Sequence, residues 1–353
     1  MKTCIVVTSI SGPNRAMRQL AEGALSHGYE FIVVGDTKSP VEFLLHGCKF
    51  LGIEAQLDSN YEYAHNCPTG HYARKNVGYL VAMSAGAQCV LETDDDNLPL
   101  SDFFRPGDAI MESSVIEHSG WVNMYKYFTD VLIWPRGFPL NMIHSELPAY
   151  EALPLRTVDC PIHQGLAQTN PDVDAIYRLI LPLPQNFRND RQIALGPGSW
   201  CPFNSQNTIW YPQAYPLMYL PAHCSFRMTD IWRSFVAQRI CHLNGWGILF
   251  RPPTVSQERN EHDLMYDFSD ETIGYLNNYG MMKELEKLDL QTGPEHIELN
   301  MMLCYEVFVK MGLVGEAELP LLDAWFRDLA RIRSNNDTKP FGSCGPRGNK
   351  SWK

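Results

Sequence analysis

The first hundred residues alternate buried-strand patterns with amphipathic-helix patterns, and that alternation leaves few architectures open. Thr3 to Thr8 is a continuous apolar, β-branched run, the mark of a strand covered on both faces. A helix is predicted from Arg15 to His27, where Ala16, Met17, Leu20, Ala21, Ala24 and Leu25 form one stripe and Gly28 supplies the stop. Phe31 to Val34 reads as a second strand closed by Gly35 and Asp36. A short helix near Val41 to Leu45 then leads to a third strand around Lys49 to Leu51. After a polar loop rich in Asn, Tyr and His, Tyr72 to Ala87 has a helical pattern, with Val77, Leu80 and Val81 inward, and Cys89 to Leu91 is again apolar. The order β-α-β-α-β-α-β predicts a parallel, doubly wound sheet. Ligands of such sheets gather at the carboxyl ends of the strands.

Composition sets the outer limits. The chain has 353 residues, 45% hydrophobic and 20% charged, enough apolar material for one large core or two smaller ones. Its formal net charge of −11 argues against a nucleic-acid partner, which is gripped through a basic surface. Met1 to Ile10 reads as a strand rather than a leader, and no segment approaches the apolar length of a membrane span. The ten cysteines contain no Cys-x-x-Cys pair, and Cys4, Cys89 and Cys241 sit in apolar runs, which fits a reduced, cytoplasmic protein. From Trp121 to Leu220 the chain is rich in Pro, Asn, Gln and aromatics, with strand-like pieces such as Val131 to Trp134. Helical periodicity returns at Asp230 to Cys241, Glu298 to Met311 and Leu321 to Ile332. The polar residues 334–353 read as a disordered tail.

The most informative stretch is Val90-Leu-Glu-Thr-Asp-Asp-Asp-Asn97, three aspartates at the end of a buried strand. Alternation in extended backbone turns Asp94 and Asp96 the same way and Asp95 elsewhere. Mn²⁺ or Mg²⁺ prefers oxygen ligands and bridges one or two carboxylates to substrate phosphates. An acidic turn capping a following helix is the other reading of such a run. No Gly-x-Gly-x-x-Gly follows the first strand, and neither a P-loop nor a His-Glu-x-x-His is present, so dinucleotide, P-loop ATPase and zincin chemistry are disfavoured.

With that cluster in place, the chain resembles the STELLO-type glycosyltransferases and, more distantly, the UDP-arabinopyranose mutases or reversibly glycosylated polypeptides. Tyr72-Ala-Arg-Lys-Asn-Val-Gly-Tyr-Leu-Val-Ala-Met before the aspartates carries the likeness. Val34-Gly-Asp-Thr-Lys-Ser-Pro, Pro135-Arg-Gly-Phe-Pro-Leu, Asn170-Pro-Asp-Val-Asp-Ala-Ile-Tyr-Arg, Asn204-Ser-Gln-Asn-Thr, Asp230-Ile-Trp-Arg and Pro252-Pro-Thr-Val continue it in the family's order. The resemblance implies the Rossmann-like GT-A fold, a mixed, mainly parallel sheet flanked by helices, with further helices at the C-terminal end. The core is expected over residues 1–270, with a nucleotide-binding half at 1–100 and an acceptor half at 101–270, followed by a helical extension at 271–333. Plant STELLO proteins carry an amino-terminal membrane anchor, whereas this chain opens at its first strand, so a Golgi location does not carry over.

The resemblance also implies roles. Thr8 and Ser9 would contact the base or ribose of a UDP-sugar, and Asp36 a uracil nitrogen, although Gly35-Asp36-Thr37 also suits an Asx turn. Arg74, with Lys75 beside it, would face the phosphates, as would Arg233, and Asp95 would stand on the donor side. Asp94 and Asp96 would hold the cation, with His262 or His223 as a further ligand. Asp230 would take the proton of a carbohydrate or glycoconjugate hydroxyl in an inverting transfer, and Thr229-Asp230 equally suits a helix cap. Asp172 and Asp174 would line the acceptor side or cap a helix. Asn204, Gln206 and Asn207 would reach sugar hydroxyls or form a turn, and Trp232 would stack on a sugar or pack in the core. The expected activity is metal-dependent sugar transfer, as in polysaccharide biosynthesis. A nucleotide-sugar mutase and a non-catalytic scaffold that regulates other transferases are the alternatives.

Overall fold

The computed structural model describes residues 1–258 and 263–337. The predicted opening strands are present as β1 (Thr3–Thr8), β2 (Glu30–Val34), β3 (Cys48–Leu51) and β4 (Cys89–Thr93). After them come β5 (Asn97–Pro99), β6 (Ile110–Ile116), β7 (Gly120–Trp121), β8 (Leu155–Asp159) and β9 (Ile162–Gln168). The last four are β10 (Ile193–Leu195), β11 (Ser199–Trp200), β12 (Asn207–Trp210) and β13 (Ile248–Gln257). Ten of them run β3-β2-β1-β4-β12-β9-β13-β10-β6-β8 in one sheet, with β5 added against β13, while β7 and β11 pair separately. Pairing is parallel from β3 to β4. Beyond β4 it is mixed, beginning with antiparallel β12. The molecule is α/β, a large mixed sheet flanked by helices, as expected of a Rossmann-like GT-A fold.

The sheet is covered on both sides because alternate residues of β1 feed different cores. Ile5 and Val7 pack with Met17, Leu20, Ala21 and Ala24 of helix α1 (Arg15–His27). Cys4 and Val6 pack on the other side with Val77 and Leu80 of α4 (Lys75–Ser84), α2 being Ile53–Leu57 and α3 Glu62–Asn66. Asn14 caps α1, and Gly28, at φ 69°, turns the chain out of it. Gly78 lets α4 lie close on the sheet: a Cβ there would stand 2.6 Å from both Val6 Cγ1 and Val34 Cγ2. That approach sets the start of α4 above the strand ends.

The remaining helices are α5 (Ala175–Ile180), α6 (Thr229–Leu243), α7 (Leu264–Lys287), α8 (Ile297–Lys310) and α9 (Glu318–Asp337). Helix α7 runs through position 270, so no break in the chain falls there. The last helices join the same core as α4 and α6. From α9, Glu318 accepts the Ala222 and His223 amides at 2.9 and 2.7 Å, and burial pushes its carboxyl up to about 7. Asp328 accepts the Glu62 and Tyr63 amides at 3.0 and 2.8 Å and so caps α3. No helix among the described residues is long and apolar enough to cross a membrane.

Two expected elements are absent. Val41 to Leu45 is irregular: Val41 and Leu44 are exposed, so the segment has no continuous apolar face to dock, while Phe43 stacks on Phe50 and Leu45 packs at the edge of the α1 core. Val131 to Trp134 is also irregular, its Ile133 carbonyl taken by Asn123 and its Trp134 indole by Asp174. Helices α2 and α3 appear where the sequence reads as a polar loop, and α7 begins at Leu264, ahead of the helical extension expected from 271.

Beneath the ends of β4 and α6 lies a buried ion pair. Arg233 makes a fork to Glu92 at 2.9 and 2.6 Å, with Trp210 Nε1 donating to the same carboxylate at 3.0 Å and the Tyr79 hydroxyl bonding it too. Both charged side chains are essentially inaccessible. Glu92→Ala strands the Arg233 charge and is expected to cost about 3–5 kcal/mol of stability, read as a lowered urea midpoint.

Candidate active site

A cleft of about 380 Å³ opens at the carboxyl ends of β1, β2 and β4. Thr8 and Ser9 after β1, Asp36 after β2 and Asp94, Asp95 and Asp96 after β4 line one wall. Arg74 lines it from the turn before α4, and Asp172, Asp230, Arg136 and Arg227 from the second half of the chain. The rule that open α/β sheets bind at the strand ends therefore locates the cleft here.

The three aspartates follow β4 in a tight turn, with the Asn97 amide returning to the Asp94 carbonyl. Asp94 Oδ1 accepts from the Tyr72 hydroxyl at 2.8 Å and from Lys75 Nζ at 3.3 Å. Ser9 Oγ donates to Asp95 Oδ2 at 2.5 Å, and the Asp95 carbonyl takes the Asn14 amide at 2.7 Å. Gln257 Nε2 bridges both oxygens of Asp96 at 3.2 and 3.1 Å. Burial raises all three carboxyls. The Asp96 carboxyl is pushed up to about 7, first by burial and then by Asp94 beside it. Among the described residues no three His, Cys, Asp or Glu side chains converge into a closed cation cage. The donor set is instead one or two carboxylates at an open edge, the set that suits a Mg²⁺ or Mn²⁺ completed by phosphate oxygens.

Arg136 bridges two more carboxylates. Its Nε and Nη2 each reach Asp172 at 2.8 Å, its Nη1 and Nη2 reach Asp230 at 3.1 and 3.0 Å, and Nη1 also bonds the Arg227 carbonyl. All five guanidinium hydrogens are thus engaged. Asp230 Oδ2 accepts in addition the Ser205 amide at 3.1 Å and the Ser205 hydroxyl at 3.2 Å. Burial works to raise the Asp230 carboxyl, but Arg136 overrides it and holds the group at about 2. Asp230 does not cap α6; neither does Thr229, since no side chain fills that place.

At the opposite end of the cleft, Asp36 accepts the adjacent Thr37 amide, which is one residue short of an Asx turn, and also accepts Gly70 N and His71 N at 2.8 and 3.0 Å, fixing the 70–72 loop. Arg74 is buried, held by Gln56 Oε1 at 2.8 Å and by the Ala64 and Cys67 carbonyls at 2.9 Å each. Its Nη2 has no partner, nor has the buried Thr8 Oγ1. Both atoms are closed to solvent but belong to residues that line the cleft, and a water molecule or a polar ligand is the partner such groups lack. Phe226 projects over the same cleft with 53% of its surface exposed.

Several residues singled out in the sequence lie outside the cleft lining. Lys75 is buried behind Asp94, where Thr93 O and the Tyr72 hydroxyl hold its amine at 2.8 Å each. Arg233 is committed to Glu92. Asp174 caps α5 through Tyr177 N at 2.7 Å, and burial pushes its carboxyl up to about 7. Asn207 bonds Leu166 O and Thr254 inside the sheet, Trp232 packs in the core against Asn278, and Asn204 meets Gln164. His223 lies off the cleft and His262 outside the described residues. Gln206 does line it. Sequence reading missed Tyr72, Arg136, Ser205 and Gln257. The first three stand inside the motif runs that carry the family resemblance, but only the fold joins them to Asp94 and Asp230.

Comparison with known proteins finds similarity to a family over part of the chain. The family model for STELLO glycosyltransferases matches residues 227–337, from Arg227 through α9. Two Arabidopsis thaliana proteins, Probable glycosyltransferase STELLO2 and Probable glycosyltransferase STELLO1, are 27% and 25% identical over 93% of this chain. The chain spans less than half of their length, 44% of each. A solved structure titled Crystal Structure of a Mycobacterial Protein covers 79% of this chain and 75% of its own at 9% identity and a TM-score of 0.35, too distant to carry weight. The resemblance to STELLO-type glycosyltransferases is borne out.

Asp174 is placed as a cap and an indole acceptor, not as a cleft residue. Asp174→Ala is expected to cost about 1–3 kcal/mol in chemical denaturation while leaving nucleotide affinity within error by calorimetry.

Proposed function

We propose that this chain, similar to STELLO glycosyltransferases over nearly its whole length, transfers a sugar from a UDP-sugar to a carbohydrate-type hydroxyl. The observation that carries the reading is the single cleft in which Thr8, Asp36 and Arg74 stand at one end, the three aspartates in the middle, and Asp172 and Asp230 beyond. Strands in a sheet are about 4.8 Å apart, so the end of β2 lies roughly 10 Å from the end of β4, with β1 between them. That span suits a nucleoside at Asp36 and Arg74 with its diphosphate at Asp94.

In this reading the free Nη2 of Arg74 and the Thr8 hydroxyl bind the nucleoside, and Arg74 needs little reordering because its other donors are already fixed. Asp94 and Asp96 hold the cation, which when bound supplies positive charge to the departing diphosphate. Lys75 behind Asp94 lowers the cost of gathering the carboxylates but does not touch the donor. Asp230 is the base. Its pairing with Arg136 leaves it a weak base at rest, so proton transfer requires Arg136 to loosen its hold. Asp172 shares that arginine and faces the acceptor. Inversion follows from a base acting on the acceptor without a covalent intermediate.

A panel of UDP-sugars with Mn²⁺ is expected to release UDP. Asp94→Asn should lower turnover on the order of 100-fold, the worth of several kcal/mol of charge stabilisation. Unchanged turnover would remove the aspartates from the reaction. Arg74→Gln should weaken UDP binding about ten-fold by calorimetry, as expected for a charge-assisted bond.

A further inference from the structure

A continuous hydrogen-bonded path joins the two halves of the cleft. It runs from Asp94 Oδ1 to the Tyr72 hydroxyl at 2.8 Å, from Tyr72 to Ser205 Oγ at 2.7 Å, and from Ser205 Oγ to Asp230 Oδ2 at 3.2 Å. Lys75 Nζ donates into the same tyrosine oxygen at 2.8 Å. Ser205 is buried, and a serine hydroxyl and a tyrosine phenol each carry one hydrogen at neutral pH.

The hydrogens on this path can be counted. Tyr72 and Ser205 bring one hydroxyl hydrogen each, and the path contains three oxygen–oxygen contacts. With both carboxylates ionised, two hydrogens cannot fill three contacts. If Tyr72 points to Asp94 and Ser205 to Tyr72, Asp230 loses the serine hydroxyl. If Tyr72 points to Ser205 and Ser205 to Asp230, Asp94 loses the tyrosine and keeps only Lys75. The Lys75 contact fits either arrangement, since it occupies an acceptor position on Tyr72 and leaves the tyrosine hydrogen free to turn.

We propose that Tyr72 and Ser205 form a two-position hydroxyl relay that couples occupancy of Asp94 to the hydrogen bonding of Asp230. The proposal rests on the UDP-sugar reading above. When Asp94 Oδ1 is drawn to a cation, Tyr72 turns its hydrogen to Ser205 and Ser205 turns its own to Asp230. The carboxylate that acts on the acceptor is then steadied only once the donor is loaded. Tyr72 and Ser205 are positioning residues in this scheme. No bond between heavy atoms changes and no proton leaves the path.

The relay predicts that Asp230, although it does not touch the cation, affects cation affinity through Tyr72. Binding of Mn²⁺ with UDP is measured by calorimetry for wild type, Asp230→Asn, Tyr72→Phe and the double variant, with Ser205→Ala as a second break in the path. Removing the Asp230 charge weakens binding in every background by simple electrostatics. The loss in the wild-type background is expected to exceed the loss in the Tyr72→Phe or Ser205→Ala background by about five-fold, the worth of one hydrogen bond. Equal losses in all backgrounds overturn the relay and leave the donor site standing. Absence of Mn²⁺–UDP binding to the wild type overturns the donor site itself, and the relay with it.

Discussion

The fork between Glu92 and Arg233 fixes the geometry on which the rest of the cleft depends. Glu92 lies two residues before Asp94 at the end of β4, and Arg233 lies one helical turn after Asp230 at the start of α6. Joining these two side chains therefore sets the distance between the two functional carboxylates. Two buried charges carry a large desolvation cost, offset here by the bidentate geometry, the Trp210 indole and the Tyr79 hydroxyl, with the Arg233 guanidinium 4.9 Å from the centre of the Trp210 ring. Such a pair adds little net stability compared with an apolar one. What it contributes is register between a strand and a helix.

Electrostatics divides the cleft into zones. Around the β4 turn the carboxylates are crowded and partly buried, and Lys75 and Gln257 offset only part of that charge. Around Arg136 the carboxylates are paired instead: one guanidinium offsets one of the two negative charges and leaves neither aspartate without a partner. At the β2 end a single arginine with three of its five donors occupied retains the two on Nη2. The cleft therefore offers three different electrostatic environments within one volume.

Much of this was legible in the sequence. The buried β-branched runs and the helix stripes identified β1, α1, β2, β3, α4 and β4, because a sheet covered on both faces writes unbroken apolar segments into the chain. The aspartate run stood out because three like charges are costly to gather. Short helices such as α2 and α3 were not legible, since their stability comes from Gln56 and from Asp328, which lies 266 positions after Glu62. The arginines were the hardest to place. Arg233 and Arg136 both lie in motif runs, but whether a guanidinium faces a ligand or a carboxylate depends on tertiary partners. Pro-Asp-Val-Asp shows the same limit: strict alternation would pair Asp172 with Asp174, whereas the chain turns into α5 between them and sends only Asp172 to the cleft.

The Asp328 cap gives α9 a part in shaping the cleft wall. Its carboxylate secures the first turn of α3, and α3 in turn offers the Ala64 carbonyl that steadies Arg74. The wall that would face a nucleoside on the proposed reading therefore leans on α9, although no described residue of α9 lines the cleft.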